Sequence, residues 1–204
     1  MNQDKLSIAA FDFDGTLTYH DTLFHFLLFS QGKLSALSKL FLEVPNLALY
    51  AMGKIARQQA KEGVLTRFFA GQPMEKIRRI GQEFASAQLQ KHLKPEAMRK
   101  LKWHQQQGHK CVLISASVDV YLDPWAKQAG IDHVICSQMA QAPNGLATGK
   151  LQGLNCWGPE KSRRLTEYLG DRSNYNIYAY GDSRGDKELL EMADYPFYRT
   201  FERV

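Results

Sequence analysis

The run Phe11-Asp12-Phe13-Asp14-Gly15-Thr16-Leu17 places two carboxylates at the end of an apolar stretch. That stretch begins at Leu6, and its length and composition predict a buried strand that ends in a loop. Alternate strand residues share a face, so Asp12 and Asp14 should lie on one side, about 6–7 Å apart. Two anions this close need a cation such as Mg²⁺ or a shared proton, and one carboxylate could then act as a nucleophile or proton shuttle. A solvated acidic turn is the alternative for this motif alone.

Further polar residues follow the predicted ends of later strands. Ser115 ends an apolar run, Lys161 lies in the first turn of a predicted helix, and Asp182 and Asp186 follow a predicted strand. Each site alone is also typical of a helix cap, a solvated lysine or a turn. Together they meet the needs of phosphoryl transfer, in which one carboxylate attacks phosphorus and a second protonates the leaving oxygen. Mg²⁺ on further carboxylates would shield the anions, while a hydroxyl and a lysine hold the phosphate oxygens.

The elements that must position these residues change character along the chain. After Asp14, helical spacing of apolar residues continues for about eighty residues, with a first helix capped at Asp21 and a break or kink at Pro45. Beyond Pro95 strands and helices alternate, which indicates a parallel sheet with active residues at the carboxyl ends of its strands. A hairpin is predicted at Pro143-Asn144-Gly145.

We therefore predict an α/β fold with two parts. A Rossmann-like parallel-sheet core with helices on both faces comprises residues 1–18 and 95–204. A helical cap domain, residues 19–94, is inserted after the first strand. The core supplies the chemistry, and the cap lies next to it in sequence and therefore beside the site.

The composition is that of a globular chain, with 204 residues of which 44% are hydrophobic and 23% charged. Its three cysteines have neither the even count nor the close spacing of a disulfide or zinc framework. The first residues, Met1 to Lys5, show no secretory signal. A cytoplasmic location is predicted from these features.

The apolar segment Leu34 to Met52 raises the question of a membrane. Charged and polar residues interrupt it, among them Lys39 and Glu43, so a transmembrane helix is rejected. Shallow contact by an amphipathic helix is left open, but helices packing against one another inside the cap is the favoured interpretation.

The net charge of +5 is unevenly distributed. Between Lys54 and Lys110 there are 13 Lys and Arg against 4 Asp and Glu, so this segment carries +9 and the rest carries −4. Solvated helix faces and a field that attracts anionic substrates are both consistent with this pattern. The helical spacing also explains the segment's aromatic residues as core, so no nucleic-acid partner is expected.

The chain resembles the haloacid dehalogenase superfamily of aspartate-nucleophile phosphatases over essentially its whole length. The residues similar to its four motifs occur in the family's order and are Asp12-Phe13-Asp14-Gly15-Thr16, Ser115, Lys161, and Gly181-Asp182 with Asp186. The inserted helices and the Ser-Ala-Ser form of the second motif are similar to the phosphoserine phosphatase-like branch, subfamily IB.

This resemblance implies a role for each residue. Asp12 would be the nucleophile that forms an aspartyl-phosphate, and Asp14 would be the general acid and then the base. Magnesium would be bound by the Asp12 carboxylate, the Asp14 backbone carbonyl and Asp182, with Asp186 helping directly or through water. The residues at the phosphate would be Ser115 and Lys161, with Thr16 supporting the loop.

Three departures from phosphoserine phosphatases leave the substrate open. Asp21 replaces a Glu that contributes to recognition of the substrate amino group, Gly185 replaces the usual Asn, and Ser115-Ala116-Ser117 replaces Ser-Gly-Gly. We therefore predict Mg²⁺-dependent hydrolysis of a small soluble phosphomonoester, a phosphorylated metabolite. The alternatives are a phosphoserine phosphatase and a lipid phosphatase similar to phosphatidylglycerophosphate phosphatases, whose caps are apolar and lie near membranes.

A receiver domain that stores an aspartyl-phosphate is the non-enzyme alternative. Receivers resemble this chain in placing Asp residues, a hydroxyl and a Lys around Mg²⁺. Their acidic pair is adjacent, however, whereas Asp12 and Asp14 are spaced by one residue, and receivers lack a cap. Both differences favour the enzyme.

Overall fold

The computed structural model describes residues 5–202. Residues 1–4 and 203–204 belong to the predicted core range, and most of the segment examined for a secretory signal is among them, but they lie outside the described residues. The helices and strands are β1 Leu6–Phe11, α1 Thr22–Gln31, α2 Lys33–Ala51, α3 Arg57–Phe69, α4 Met74–Ala87, α5 Pro95–Gln106, β2 Lys110–Val118, α6 Asp119–Ala129, β3 His133–Ser137, β4 Met139–Gln141, β5 Ala147–Leu151, α7 Pro159–Leu169, β6 Tyr175–Gly181, α8 Lys187–Glu191 and β7 Tyr195–Tyr198.

Within the described chain, five parallel strands form a sheet in the order β3-β2-β1-β6-β7. The central strand β1 is completely buried from Ile8 to Phe11. Phe11 pairs with Leu113 of β2 on one side and with Tyr180 of β6 on the other. The chain leaves β1 for β2 and later returns to β6 on the opposite side, so a crevice forms at the carboxyl end of β1. The predicted α/β fold is confirmed.

Helices cover both faces of the sheet, because the side chains of β1 alternate between two buried clusters. Phe11 belongs to the cluster that includes Trp125 of α6. Ile8 belongs to the cluster that includes Leu165 of α7 and Leu189 of α8. The near-continuous apolar sequence of β1 follows from this burial on both sides.

The edge strand β7 was not expected from the sequence. It has four residues, and its second residue, Pro196, pairs with Ala179 of β6. A proline cannot donate a ladder hydrogen bond, so it is tolerated in a sheet chiefly at an edge. The proline and the short length hid this strand from the sequence pattern.

The predicted helical insertion after the first strand is confirmed. It contains α1 to α4, and its two ends lie side by side. Thr18 forms an isolated antiparallel bridge with Leu93, the Tyr19 N–H donates to the His92 carbonyl at 2.9 Å, and the Lys94 N–H donates to the Leu17 carbonyl at 2.8 Å. The division into two domains stays a prediction, because one cluster of buried side chains includes residues from both parts.

The predicted hairpin is formed by the antiparallel strands β4 and β5, apart from the main sheet. It packs on α3 of the insertion, where Gly149 approaches Thr66 so closely that a Cβ on the glycine would lie 2.3 Å from the Thr66 Cα. The Ala147 N–H also donates to the Gln72 carbonyl at 2.8 Å. The hairpin therefore fastens the insertion to the core.

The sequence predicts a break or a kink at Pro45. Helix α2 continues through Pro45, so the break is wrong, and the kink stays a prediction. A proline removes one helical hydrogen bond and leaves the carbonyl four residues earlier without its usual partner. That carbonyl belongs to Phe41, whose side chain is 75% exposed, so water can reach this turn of the helix. None of the helices within residues 5–202 is both long enough and apolar enough to cross a membrane.

Candidate active site

The polar sites predicted from the sequence meet at one edge of the sheet. Asp12 follows β1, Ser115 lies in β2, and Asp182 follows β6. Lys161 lies in the first turn of α7, which begins at Pro159. A proline fits the first helical position because its missing N–H would have no helical partner there. The start of α7 thus delivers Lys161 to the ends of the central strands.

Lys161 joins two buried carboxylates. Its Nζ lies 2.6 Å from Asp12 Oδ1 and 2.6 Å from Asp186 Oδ1. Lys161 is 2% exposed, Asp12 4% and Asp186 0%, so these charges depend on one another for stabilisation. Burial acts to lower the pKa of Lys161, but the charges of Asp12 and Asp186 outweigh it and raise that pKa. The lysine is therefore a permanent cation.

The loop after β6 holds Asp186 in place. Its Oδ2 accepts hydrogen bonds from the Asp182 N–H at 3.2 Å, the Ser183 N–H at 3.0 Å and the Ser183 hydroxyl at 2.9 Å. Gly181 permits this tight turn, because a Cβ there would lie 2.4 Å from the Asp186 Cβ. Because the loop's hydrogen bonds go to Oδ2, the other oxygen of Asp186, Oδ1, can contact Lys161.

Asp12, Asp182 and Asp186 can each offer an oxygen within 4.8 Å of the others. The Thr16 hydroxyl lies 3.4 Å from Asp12 Oδ2 and 3.4 Å from Asp182 Oδ1. Carboxylate oxygens are the ligands that hard divalent cations prefer, so this donor set fits such an ion. The Asp14 side chain is not part of the group.

Hydroxyl groups surround Asp14 instead. Its Oδ1 accepts hydrogen bonds from the Thr22 N–H at 2.7 Å and the Thr22 hydroxyl at 2.6 Å. Its Oδ2 accepts one from the Ser117 hydroxyl. Tyr121 donates to Ser117 Oγ at 2.7 Å and lies 3.2 Å from Thr22 Oγ1. Asp14 is thus held by neutral donors from the insertion and from β2.

Burial raises the pKa of both motif carboxyls, and neighbouring groups then modify each value differently. Burial raises the pKa of Asp12 to about 7, with Lys161 opposing the shift and Asp186 adding to it. Burial, and then the charge of Asp21, raises the pKa of Asp14 to about 6 against the hydrogen bonds from Ser117 and Thr22. A carboxyl with this pKa can exchange a proton near neutral pH, as an acid and base requires.

A cleft of about 390 Å³ opens over this edge of the sheet. Asp12, Asp14, Ser115, Lys161 and Asp182 line its core side. The residues that the insertion contributes are Tyr19, His20, Asp21 and Arg57. A second cavity of about 230 Å³ shares Asp14, Asp21 and Arg57 with the cleft and is lined further by Leu23, Leu47, Tyr50, Lys61 and Val64.

Arg57 brings one charge of the basic segment into the cleft, where its guanidinium lies 4.7 Å from the centre of a Trp157 ring. Trp157 can occupy this place because Gly185 has no side chain. A Cβ on Gly185 would lie 2.3 Å from Trp157 Nε1. The departure from the family pattern at Gly185 therefore has a physical reason in this chain.

Lys61 of α3 links the insertion to the core. Its Nζ donates to the Ala116 carbonyl, between Ser115 and Ser117, and lies 3.4 Å from Asn155 Oδ1. Burial lowers the pKa of Lys61 to about 8. The basic segment thus supplies both a cleft residue and a structural contact at the second motif.

The structure places every predicted site residue in or beside this cleft. Asp21 caps α1, since its side chain accepts a hydrogen bond from the Leu23 N–H at 2.8 Å, and it also lines the cleft. Ser115 Oγ accepts one from the Ser117 N–H at 3.0 Å. The residues in direct mutual contact are Asp12, Thr16, Lys161, Asp182 and Asp186. Their individual roles stay predictions.

The hydroxyl groups around Asp14 were not predicted from the sequence. Ser117 lies near the end of β2 and Tyr121 in the first turn of α6, so their contact depends on how the chain turns from strand to helix. Nothing in the sequence pattern indicated that Thr22 would return to Asp14, because that contact depends on the path of the loop between them.

Comparison with known proteins agrees with this geometry. The family model of haloacid dehalogenase-like hydrolases matches residues 9–191. Protein CicA of Caulobacter vibrioides is 34% identical over 194 residues, which cover 95% of this chain and 86% of CicA. A protein of unknown function from Bordetella pertussis Tohama I has a TM-score of 0.78 at 23% identity, covering 92% of this chain and 86% of that one.

Other structural neighbours are phosphoserine phosphatase-like proteins of subfamily IB. One is a phosphoserine phosphatase solved as an analogue of its phospho-aspartyl intermediate, with a TM-score of 0.58, 17% identity, and coverage of 93% of this chain and 84% of that one. Such distant likeness shows a shared fold, and the family match spans most of the chain. The protein therefore belongs to the haloacid dehalogenase-like hydrolase family.

Proposed function

We propose that the protein is a Mg²⁺-dependent phosphomonoesterase that forms an aspartyl-phosphate on Asp12. The observation that carries this proposal is the buried Asp12, paired with Lys161 and grouped with Asp182 and Asp186 at the carboxyl end of β1. Family membership supports it, as does the phosphoserine phosphatase neighbour solved as a phospho-aspartyl intermediate analogue. The hydrolase match and the inserted helices weigh against a receiver-like phospho-acceptor.

In the first half-reaction, a carboxylate oxygen of Asp12 attacks phosphorus. The bond between phosphorus and the leaving-group oxygen breaks, and Asp14 donates its proton to that oxygen. The raised pKa of Asp14, about 6, keeps a useful fraction of the acid form near neutral pH. Lys161 holds Asp12 in position and offers positive charge to the phosphoryl oxygens.

In the second half-reaction, water attacks the phosphorus of the aspartyl-phosphate. Asp14, now ionised, accepts the proton of that water, and the bond between phosphorus and Asp12 breaks to release inorganic phosphate. Ser115 and Lys161 would bind phosphate oxygens in both steps, and Thr16 would support the loop. A divalent cation on the three carboxylates would offset the negative charge of the nucleophile and the phosphoryl group.

A small phosphorylated metabolite is the substrate class that we propose. The cleft of about 390 Å³ is of the size that small ligands occupy, and Asp21 and Arg57 face the space beyond Asp14. We also propose a cytoplasmic location, with which the unpaired and buried state of Cys111, Cys136 and Cys156 is consistent.

The test is phosphate release from an aryl phosphate with Mg²⁺ and with EDTA. The wild type should turn over continuously and lose activity with the chelator, while Asp12→Asn should lose about a thousandfold or more because an amide is a poor nucleophile. The control is Asp171→Asn, since Asp171 caps a short turn before β6 and asparagine caps equally well. Wild-type turnover by Asp12→Asn would refute the aspartyl-phosphate mechanism.

A further inference from the structure

Helix α2 is amphipathic in the opposite sense to a normal surface helix. Its solvent-facing side, here called the outer face, is apolar apart from Ser38 and consists otherwise of Leu34, Leu37, Phe41, Leu42, Val44, Pro45, Ala48, Leu49 and the capping residue Met52. Leu34 is 87% exposed, Phe41 75% and Met52 63%. Surface helices ordinarily bury their apolar side, so an apolar outer face marks a site of interaction.

Three polar side chains of α2, those of Lys39, Glu43 and Asn46, pack inward instead. Glu43 is buried and paired with Arg67 of α3. Asn46 donates to the Ala60 carbonyl at 3.2 Å and to Glu43 at 3.0 Å. Lys39 donates to Gln31 at 3.0 Å. These contacts fix the rotation of α2, so the outer face cannot turn toward the core without breaking them.

The charges around α2 identify the kind of partner. Between Thr22 and Lys61 the only acidic residue is Glu43, which the pair with Arg67 neutralises. The basic residues in this stretch are Lys33, Lys39, Lys54, Arg57 and Lys61. Lys33 and Lys54 flank the two ends of the outer face and are exposed. An apolar strip about 27 Å long with cations at its ends suits the interface of a bilayer that contains anionic lipid.

We propose that the outer face of α2 docks on an anionic membrane surface, with the helix axis parallel to the bilayer plane. A second copy of the chain fits less well, because an antiparallel pairing of two outer faces would bring Lys33 of one copy near Lys54 of the other. The inference does not depend on the proposed phosphatase activity. Leu47 and Tyr50 of α2 line the cavity beside Asp14, so docking would hold that cavity close to the lipid.

The experiment sediments the full chain with vesicles of phosphatidylcholine and phosphatidylglycerol, and with vesicles of phosphatidylcholine alone. The wild type should bind the mixed vesicles more tightly, and added salt should weaken that binding. Leu37→Ser with Phe41→Ser should lower the partition coefficient by about tenfold or more, because both side chains would otherwise enter the interface. Lys33→Gln with Lys54→Gln should reduce the preference for mixed vesicles.

The matched control is Leu154→Ser with Tyr198→Ser, which removes two side chains that are 60% and 52% exposed elsewhere on the surface. It should bind vesicles as the wild type does. All variants should keep their thermal transition and their turnover of a soluble aryl phosphate, since none of these residues lines the cleft. A wild type that binds neither vesicle, equal binding to both vesicles, or an outer-face variant that binds like the wild type would each overturn the proposal. So would a dimer in solution that the outer-face variant converts to a monomer.

Discussion

The two sides of the cleft surround neighbouring carboxylates with different kinds of group. On the charged side, Lys161 contacts Asp12 and Asp186 at 2.6 Å each, and the partners come from α7 and the loop after β6. On the hydroxyl side, Asp14 meets Thr22 from the insertion and Ser117 from β2. Asp12 and Asp14 are two residues apart, yet one faces a fixed cation and the other neutral donors.

The difference shows how one loop can supply two chemistries. The ion pair with Lys161 opposes the rise that burial gives the pKa of Asp12, and this favours the ionised form that a nucleophile needs. A hydroxyl can donate or accept a hydrogen bond, so Ser117 and Thr22 can accompany Asp14 in both protonation states. The charged side would therefore hold charge in place, and the hydroxyl side would let a proton move.

Of the substitutions that test this difference, Asp14→Asn should have the largest effect on turnover. The amide keeps most of the packing but can neither give nor take the proton, so kcat should fall about 10²–10⁴-fold. The loss should be larger with an alkyl phosphate than with a nitrophenyl phosphate, because the alkoxide needs protonation more. Steady-state phosphate release on both substrates measures this, and undiminished activity on the alkyl ester would remove Asp14 from the acid role.

Lys161→Met removes the fixed cation from the charged side. Turnover should fall about 10²–10³-fold, and the free energy of unfolding should fall by about 3–5 kcal/mol because two buried carboxylates lose their partner. Without the lysine, the folded-state pKa of Asp12, which burial raises to about 7, lies further above its unfolded value. The deficit should therefore be smallest in acid and grow as pH rises, which urea unfolding at several pH values tests. A deficit independent of pH would contradict the ion-pair account.

Ser117→Ala tests the hydroxyl side and should reduce turnover less than Asp14→Asn or Lys161→Met. The Ser117 hydrogen bond lowers the pKa of Asp14, so its removal should raise that pKa. In the pH profile, kcat/KM falls as Asp14 loses its proton. This fall should move to higher pH by about 0.5–1 pH unit, which corresponds to the free energy of one hydrogen bond. Tyr121→Phe removes a hydroxyl that contacts Ser117 and Thr22 but not Asp14 itself, so it should produce a smaller shift in the same direction. A pH profile that moves downward or not at all would rule out this control of Asp14.

Gly149→Ala should have the smallest effect on turnover. It tests whether the hydroxyl side depends on how the insertion packs against the core. The new Cβ would meet the Thr66 Cα at 2.3 Å, so stability should fall by about 1–3 kcal/mol, measured by thermal unfolding. Gly153→Ala is the matched control, because Gly153 also has a positive φ of 83° but nothing within 4 Å of the added Cβ. Equal losses in the two variants would attribute the effect to backbone strain alone.

The charged side was predictable from the sequence, whereas the hydroxyl side was not. Asp12, Ser115 and Asp182 each follow or end an apolar run, and the rule that parallel strands present their carboxyl ends at one edge brings them together. The contact of Thr22 with Asp14 obeys no such rule. It depends on how the loop between them turns at Gly15, whose φ is +81°, and a local pattern does not specify that path.

Helix α2 shows a second limit of prediction from sequence patterns. Its apolar spacing correctly predicted a helix, but the usual assumption that apolar residues face inward was wrong for its outer face. Glu43 and Asn46 found partners on α3, and those contacts decide which side is buried. Such pairings join separate helices, so the periodicity of one helix does not contain them.

The antiparallel bridge between Thr18 and Leu93 has a consequence for how such proteins can diversify. The chain leaves the core and returns to it at almost the same point, so the two ends of the core chain stay together whatever the length of the insertion. Lengthening or exchanging the inserted segment costs little chain entropy when its ends are already closed. The insertion can therefore change in length and sequence away from its contacts with β2, the hairpin and Asp14, while the strand ends and their carboxylates stay where they are.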